Sequence, residues 1–338
     1  MTTQGEMRSE AGAQVLQGVA PGAGAAALPR PVIYREPTTL WGRILRDIRK
    51  SNKWGYIFIA PLMIDFLVFT AYMIVRAVLM GFQEVAFGGV VTWVGLDNFR
   101  YTIQREPLFW NAVKNTIYYT GLVVPGTIVV ALILGELIFR RNTRVQVFFK
   151  SAYYLPGVVS SVVMAIVWIW IFQPFYGLLN WVVGLVGLGP YNWLGTPYLA
   201  MPSLIFMTIV GGIGAPVVLI TAAMGGIPTD LYDAAKIDGA GEWVRFWRVT
   251  VPLLRPTLLY LFVTGFIGHF QVFDQIYVMT QGGPGYPPAT QTMGFLIYQS
   301  AFEKLQLGRA AAQSILLFFG ILVFSALQFR LFASELEY

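Results

Sequence analysis

The chain has 338 residues, of which 56% are hydrophobic and 12% charged, and its mean hydropathy is +0.62. Because soluble domains carry about 25% charged residues, we expect lipid to surround much of this chain. The absence of cysteine and the single histidine, His269, exclude disulfides, cysteine-based metal sites and multi-histidine metal centres. The net charge of +6 comes from basic residues dispersed at the ends of apolar segments, without any nucleic-acid-binding motif, so no nucleic-acid partner is predicted.

The amino-terminal region precedes the apolar part of the chain. Residues 1–37, rich in Ala, Gly, Gln and Pro, are predicted to form a disordered cytoplasmic tail. Residues 38–53 are predicted to form a basic amphipathic helix suited to the cytoplasmic headgroup layer. Its apolar stripe consists of Trp41, Ile44, Leu45 and Ile48. An anchor that positions the following helix is favoured over a regulatory role.

Six apolar segments are each long enough to cross a hydrocarbon core of about 30 Å. They are Tyr56–Met80, Asn115–Ile138, Ala152–Phe172, Ala200–Met224, Thr257–Met279 and Ala310–Leu331. The pattern predicts an all-α integral membrane domain of six transmembrane helices over residues 54–338. Lys and Arg concentrate on the side that carries the chain ends, which places both termini in the cytoplasm.

The third and fourth segments differ in continuity. The third is the clearest span because Val158–Phe172 holds no charge. The fourth is the weakest because glycines and a proline interrupt it at Gly211–Pro216, which either lines a substrate path or packs closely on a neighbouring helix. The uncharged loop Gln173–Tyr198 between them either packs on the protein or contacts a partner.

Four ionisable residues are expected at membrane depth, where an unpaired charge is costly. They are Asp65, Glu136, His269 and Asp274. No basic partner is evident for Asp65, whereas Glu136 is expected to pair with Arg140 one turn later. His269 and Gln271 lie among the aromatic residues Phe266, Phe270 and Phe273. Polar and aromatic groups on one helix suit a sugar, but plain packing also accounts for the aromatic residues.

The loop between the fourth and fifth segments, residues 227–256, is predicted to hold two short helices. Pro228 suits a first helical turn, and Asp230 follows near the positive end of the helix dipole. Gly239 and Gly241 end the first helix and allow a bend. The second helix carries the aromatic residues Trp243, Phe246 and Trp247. Apolar residues held in water on a short loop indicate a docking surface for another protein.

This loop is similar to the coupling motif of ABC importer permeases, in the carbohydrate-uptake family that includes the maltose permeases. The matching residues are Asp233, Ala234, Ala235, Asp238, Gly239, Ala240 and Pro252. Asp233 stands where the family has glutamate and is one methylene shorter, which makes its salt bridge to the ATPase less secure. Three other stretches also resemble the family: Val94–Phe99, Leu155–Gly157 and Thr280–Pro284.

The resemblance implies the fold of a type I ABC importer permease in the inner membrane of a prokaryotic cell. The implied partners are a homologous second permease subunit, two ATPase subunits, an extracytoplasmic solute-binding protein, a sugar substrate and the lipid bilayer. No catalytic residue, metal site or cofactor is expected in this chain, because it lacks a phosphate-binding loop and the ATPase would bind ATP and Mg. The chain would form half of the translocation path.

The resemblance also implies residue roles. The ATPase-coupling residues would be Asp233, Ala234, Ala235, Asp238, Gly239, Ala240, Trp243 and Phe246. The sugar contacts would be Thr208, Gly212 and Ala215 in the fourth segment and Gly265, His269 and Val272 in the fifth, followed by Phe270 and Gln271. A neutral imidazole at His269 could both donate to and accept from vicinal hydroxyl groups.

Two other classes of protein fit the sequence less well. A secondary transporter would carry intramembrane carboxylates in two matching halves; Asp65 and Asp274 support this weakly, and no internal repeat is visible. A membrane enzyme would need clustered His, Asp, Glu or Cys, which one histidine and no cysteine do not provide. The fourth and fifth segments hold no Arg or Lys, which favours a neutral di- or oligosaccharide over an anionic substrate.

Overall fold

The computed structural model describes residues 53–85 and 91–333. The predicted tail and nearly all of the predicted amphipathic helix therefore lie outside the described residues. The chain divides into two units, the first ending at Asp65 and the second beginning at Phe66. The first unit contributes the helix Lys53–Asp65 to the described part, and its large apolar side chains between Tyr56 and Ile64 are exposed, as expected for a surface surrounded by lipid.

Helices make up most of the described chain. They are α1 (Lys53–Asp65), α2 (Tyr72–Gly81), α3 (Asp97–Gln104), α4 (Phe109–Phe139), α5 (Thr143–Val158), α6 (Ser161–Ile171), α7 (Leu178–Gly184), α8 (Pro197–Gly212), α9 (Gly214–Gly225), α10 (Thr229–Ile237), α11 (Glu242–Arg245), α12 (Val251–Leu253), α13 (Arg255–Phe270), α14 (Asp274–Met279), α15 (Met293–Tyr298) and α16 (Leu307–Ala333). Three wider π-helical segments occur at Phe66–Ala71, Phe246–Thr250 and Gln299–Glu303. The strands β1 (Gln83–Val85) and β2 (Val91–Trp93) pair antiparallel, with Glu84 opposite Thr92.

The membrane-spanning elements agree in number with the six predicted segments. Three stretches are long and apolar enough to cross a membrane: Gly55–Gly81, Phe109–Phe139 and Leu307–Arg330. Three further spans are bent helix pairs. The bend is 100° between α5 and α6, 46° between α8 and α9, and 67° between the segment Glu242–Leu253 and α13. Each bent pair counted as one span gives a total of up to six.

The third predicted span is not the uninterrupted helix that its apolar sequence favoured. Its first helix begins at Thr143 and ends at Val158, and the chain turns sharply at Val159 and Ser160 before α6. Both turn residues have extended backbone, with ψ near 140°. Pro156 and Gly157, which are poor helix formers, lie just before the turn. Hydropathy measures burial in lipid and carries no information about such a break.

The fifth predicted span also ends earlier than expected. Helix α13 stops at Phe270, and the chain resumes as α14 at Asp274. The Val272 carbonyl in this break accepts a hydrogen bond of 3.2 Å from the Thr292 hydroxyl, so a freed backbone group is satisfied. Gly294 allows this approach, because a Cβ there would lie 2.6 Å from that carbonyl oxygen.

The interruption predicted in the fourth segment is confirmed, and it falls at Ile213. The bend brings Gly214 so close to α5 that a Cβ there would overlap the Tyr153 carbonyl oxygen. Small-residue packing therefore explains Gly214. Gly212 and Ala215, in contrast, are exposed and leave an open surface beside the bend. The two explanations of the glycine-rich stretch apply to different residues within it.

Helix α4 is the centre of the bundle. Towards its beginning, Tyr119 and Val123 pack with α8 and α14, and further along, Ile128 and Leu132 pack with α9 and α13. Two aromatic rings on α13, Phe266 and Phe270, complete this second cluster. Burial of apolar side chains from several helices against one central helix holds the spans around a common core.

The Val94–Phe99 motif closes one end of the bundle. Gly95 has a φ of 58°, and the buried Asn98 donates hydrogen bonds to the carbonyl groups of Gly81 (3.1 Å) and Gln83 (2.9 Å). Gly308 lies against the same strand, where a Cβ would overlap the Gln83 carbonyl oxygen. The motif thereby joins the end of α2 to the beginning of α16.

Candidate coupling loop and substrate path

The first helix of the coupling loop ends in a cap that accounts for most of its motif. The Ala240 amide donates to the Ala235 carbonyl at 2.9 Å, and the Gly239 amide donates to the Lys236 carbonyl at 3.0 Å. This pair of bonds is a Schellman motif, which requires a left-handed residue at its centre. Gly239 provides it with a φ of 76°. Ala235, Gly239 and Ala240 therefore have a local structural role in ending α10.

A hydrogen bond fixes the angle between the two halves of the loop. The Tyr232 hydroxyl on α10 lies 3.0 Å from the Thr250 hydroxyl in the second half. Asp230 lies in the first turn of α10, where the helix dipole favours a carboxylate. Pro228 precedes this turn as the N-cap residue.

The apolar residues of the loop divide into an anchor and an exposed surface. Phe246 is 5% exposed and packs in the central cluster with Ile138 and Leu254. Trp243 is 72% exposed. Five exposed apolar residues of the loop are here called the docking surface: Leu231, Ile237, Trp243, Val244 and Trp247. Of the predicted coupling aromatics, Phe246 thus holds the loop on the membrane domain and Trp243 faces outward.

The expected pair of Glu136 and Arg140 is confirmed, and it extends to the loop. The Arg140 Nε donates to Glu136 Oε1 at 2.7 Å, and its guanidinium also binds Glu242 at the beginning of α11. The hydrogen bond to Glu136 raises the pKa of Arg140, so the guanidinium stays protonated. This network joins α11 to the end of α4. The sequence did not reveal that Glu242 would bind Arg140, because the helix dipole already accounts for a carboxylate in a first helical turn.

Four of the predicted coupling residues are available to a partner. Asp233, Ala234, Asp238 and Gly239 are exposed. Asp233 forms an ion pair of 2.8 Å with Lys236 on its own helix. Exposed pairs of this kind are weak, so a partner can displace this one at little cost.

Three polar side chains from three spans meet in the membrane domain. The Tyr119 hydroxyl on α4 lies 2.8 Å from the Thr208 hydroxyl on α8, and the Tyr119 ring packs edge-on against the His269 ring, with centroids 6.1 Å apart. Thr208 also donates to the Leu204 carbonyl at 2.8 Å. The structure therefore brings the predicted residues Thr208 and His269 together through Tyr119.

Sequence reasoning missed Tyr119, which is completely buried. A signal was present, because Asn115 and Tyr119 are one helical turn apart in an otherwise apolar segment. Asn115 itself donates to the Gln291 carbonyl at 3.0 Å. A polar stripe on α4 therefore faces neighbouring protein rather than lipid, as expected for polar groups at membrane depth.

The other predicted sugar-contact residues fall into two groups. Gly212, Ala215 and Gln271 are exposed, and the described subunit leaves them open to a ligand or a partner. Phe270 and Val272 are buried in apolar clusters. Gly265 packs on α4, where a Cβ would lie 3.1 Å from a methyl group of Val124. The first group has the exposure that a substrate contact requires, whereas His269 is half-buried and Thr208 is buried.

The two intramembrane aspartates have different surroundings. The Ser161 hydroxyl donates to Asp274 Oδ2 at 2.5 Å, and both residues stand in the first turns of their helices. Asp274 therefore has a structural partner that links α6 to α14. Asp65 is exposed and has no hydrogen-bonding partner among the residues that the structure describes.

Comparison with known proteins gives concordant matches. Residues 127–334 match the family model described as binding-protein-dependent transport system inner membrane component. The arabinooligosaccharides transport system permease protein AraP of Bacillus subtilis (strain 168) is 32% identical over 86% of this chain and 92% of its own length. The lactose transport system permease protein LacF of Rhizobium radiobacter is 31% identical, over 81% and 92%.

A solved structure supports the fold. A chain of the bacterial alginate ABC transporter, crystallised in complex with an alginate pentasaccharide-bound periplasmic protein, superposes with a TM-score of 0.71. The sequences are 23% identical, and the match covers 86% of this chain and 95% of that one. The chain therefore shares the fold of this transporter chain.

Proposed function

The chain belongs to the family of binding-protein-dependent transport system inner membrane components, and we propose that it forms half of the translocation path of an importer for a neutral di- or oligosaccharide. It is a multi-pass permease subunit of the sugar ABC importer class, located in the inner membrane, and is not itself an enzyme. The proposal concerns the substrate, its contacts and the partners.

The meeting of Tyr119, Thr208 and His269 is the observation that carries the proposal. The half-buried His269 imidazole can donate to and accept from sugar hydroxyls, while the buried Tyr119 ring, hydrogen-bonded to Thr208, packs against it. The exposed residues Gly212 and Ala215 leave room beside this group for a ligand. No Lys or Arg lies in α8, α9 or α13 beyond Arg255 at the beginning of α13, which favours a neutral substrate.

The proposed partners are inferred from the phosphate-binding loop that this chain lacks and from the docking surface that it exposes. It has no phosphate-binding loop, so two separate ATPase subunits would bind ATP and Mg. The docking surface and the exposed residues around Asp233 would receive them. A homologous second permease would complete the path, and an extracytoplasmic solute-binding protein would deliver the sugar, as the alginate relative's complex with a periplasmic protein suggests by analogy.

The geometry supports a coupling mechanism. Closure of the ATPase pair would push on the docking surface, and Phe246 and the network of Glu136, Arg140 and Glu242 would pass that displacement to α4 and its neighbours. The membrane helices would then alternate between outward- and inward-open states around a mid-membrane site.

The experiment that tests the substrate proposal is uptake by the purified complex in proteoliposomes. The substrates are labelled neutral oligosaccharides of two to five units and uronic-acid oligosaccharides of the same lengths. Neutral sugars are expected to be imported with ATP, and His269→Ala is expected to raise the sugar concentration needed for half-maximal uptake. Preferred import of the acidic series would overturn the neutral-sugar proposal while leaving family membership unaffected.

A further inference from the structure

Charged side chains of both signs surround a pocket at one end of the bundle. The pocket has a volume of about 360 Å³ and lies where β1, α3 and the beginning of α16 meet. Its charged lining residues are Glu84, Asp97, Arg100, Arg105 and Arg309. Among the described residues, none of these five has an oppositely charged group within 4.0 Å. The five charged residues therefore line the pocket without forming direct ion pairs among the described residues.

One of the arginines is held in place by an aromatic ring. The guanidinium carbon of Arg309 lies 3.7 Å from the centre of the Tyr101 ring, which is a cation–π contact. Such a contact leaves the planar N–H groups free to bind an anion in the plane of the guanidinium. Arg309 is thus oriented in advance for a ligand.

The pocket borders the ends of two apolar spans, where lipid headgroups are expected. Glu84 comes three residues after the span that ends at Gly81, and Arg309 is the third residue of the span that begins at Leu307. Four large apolar side chains between β2 and the beginning of α4 are exposed: Trp93, Leu96, Ile103 and Trp110. Exposed tryptophans at the ends of spans are typical of the membrane interface.

We infer that this pocket binds the headgroup of a zwitterionic phospholipid that carries a primary ammonium group, of the phosphatidylethanolamine class. The arginines would bind the phosphate through charge-assisted hydrogen bonds. Glu84 and Asp97 would bind the ammonium group, which donates three hydrogen bonds. An anionic headgroup would leave both carboxylates unpaired, and a trimethylammonium group would offer them no N–H donor. The site is independent of the sugar path.

Lipid retention by the purified full complex tests the proposal. The complex is equilibrated in detergent with equal amounts of phosphatidylethanolamine, phosphatidylglycerol and phosphatidylcholine, and lipids that survive gel filtration are quantified by mass spectrometry. Phosphatidylethanolamine is expected to be enriched several-fold, and the double change Arg100→Gln and Arg309→Gln is expected to abolish that enrichment. Lys114→Gln removes an exposed charge near the beginning of α4, outside the pocket, and is expected to change nothing.

A second variant distinguishes headgroup recognition from loss of folding. Glu84→Gln keeps the arginines and is expected to shift the retained lipid from phosphatidylethanolamine towards phosphatidylglycerol, which a misfolded complex would not do. Equal retention of all three lipids by the unmodified complex would overturn the proposal. So would enrichment that persists in the double arginine variant, or displacement of the lipid by an equal concentration of inorganic phosphate, which would indicate a site for free phosphate.

Discussion

Of the two glycines in the coupling loop, Gly239 has the backbone conformation that tolerates a side chain less well. Its φ of 76° is left-handed, whereas Gly241 two residues later has a φ of −65°. A Cβ added at either glycine would meet no neighbouring atom within 4 Å, so steric crowding plays no part. The two positions therefore form a matched pair that separates backbone conformation from side-chain contact.

We expect Gly239→Ala to impair coupling and Gly241→Ala to be tolerated. A left-handed alanine costs about 1–2 kcal/mol, which corresponds to a roughly 5- to 30-fold lower population of the native cap. The measurement is substrate-stimulated ATP hydrolysis by the reconstituted complex, which should fall for the first variant and stay near the unmodified level for the second. Equal activity of both variants would show that the cap is not required.

Tyr119 contacts two of the predicted sugar-contact residues although it is itself buried. We expect Tyr119→Phe to weaken apparent sugar affinity by about 2- to 10-fold, because one hydrogen bond to Thr208 is lost. The adjacent change Tyr118→Phe, at a half-exposed ring, is the control. The measurement is the sugar concentration at half-maximal uptake. Identical values for the two variants would show that the Tyr119 hydroxyl does not contribute to sugar binding.

At the scale of elements, the coupling loop has an inner and an outer side. Phe246 packs in the central cluster, while Trp243 is exposed one turn away. The rings still contact each other, with centroids 6.1 Å apart, so the outer aromatic residue rests on the inner one. One aromatic residue thus faces the core and the next faces solvent. This arrangement suits a loop that is anchored in the permease and contacts a partner protein on its outer side.

We expect truncation of Phe246 to lower the stability of the permease and truncation of Trp243 to weaken its binding to the ATPase subunits. Phe246→Ala creates a core cavity and is expected to lower the stability of the permease by about 3–5 kcal/mol. Trp243→Ala removes an exposed ring and is expected to leave the melting temperature unchanged while weakening copurification of the ATPase subunits. Thermal unfolding and copurification are measured on both. A stable Phe246→Ala subunit that loses the ATPase would contradict this assignment.

At the scale of the whole molecule, two of the helix breaks lie beside predicted sugar-contact residues. The bend at Ile213 opens the surface at Gly212 and Ala215, and the break after Phe270 lies next to His269. Interrupted helices are tolerated in a membrane where the freed backbone groups are bonded or face a cavity. Here the Thr292 hydroxyl supplies that bond to the second break.

The energy source of transport is a property of the complete assembly. We expect uptake to require ATP and the ATPase subunits, and to persist in Asp274→Asn, because an amide can still accept the hydrogen bond from Ser161. Uptake into proteoliposomes is measured with ATP and, separately, with a proton or sodium gradient alone. Gradient-driven uptake that Asp274→Asn abolishes would instead indicate a secondary transporter.

Local sequence signals determined much of this protein. Long apolar segments predicted six spans because burial in lipid depends on composition over about 20 residues. The ends of α10 followed from Asp230 and Gly239, whose dipole and backbone preferences act within one helical turn. The ion pair of Glu136 and Arg140 was predictable for the same reason, since its partners are four residues apart.

Tertiary structure decided what depends on residues distant in sequence. The early end of the fifth span is stabilised by Thr292 and Gly294, and the meeting of Thr208 with His269 depends on Tyr119 from a third helix. The sequence places Phe246 in a loop, but only its packing in the central cluster shows that it attaches this loop to the membrane domain rather than facing a partner. These features arise from packing between helices, which periodicity and composition within one segment do not encode.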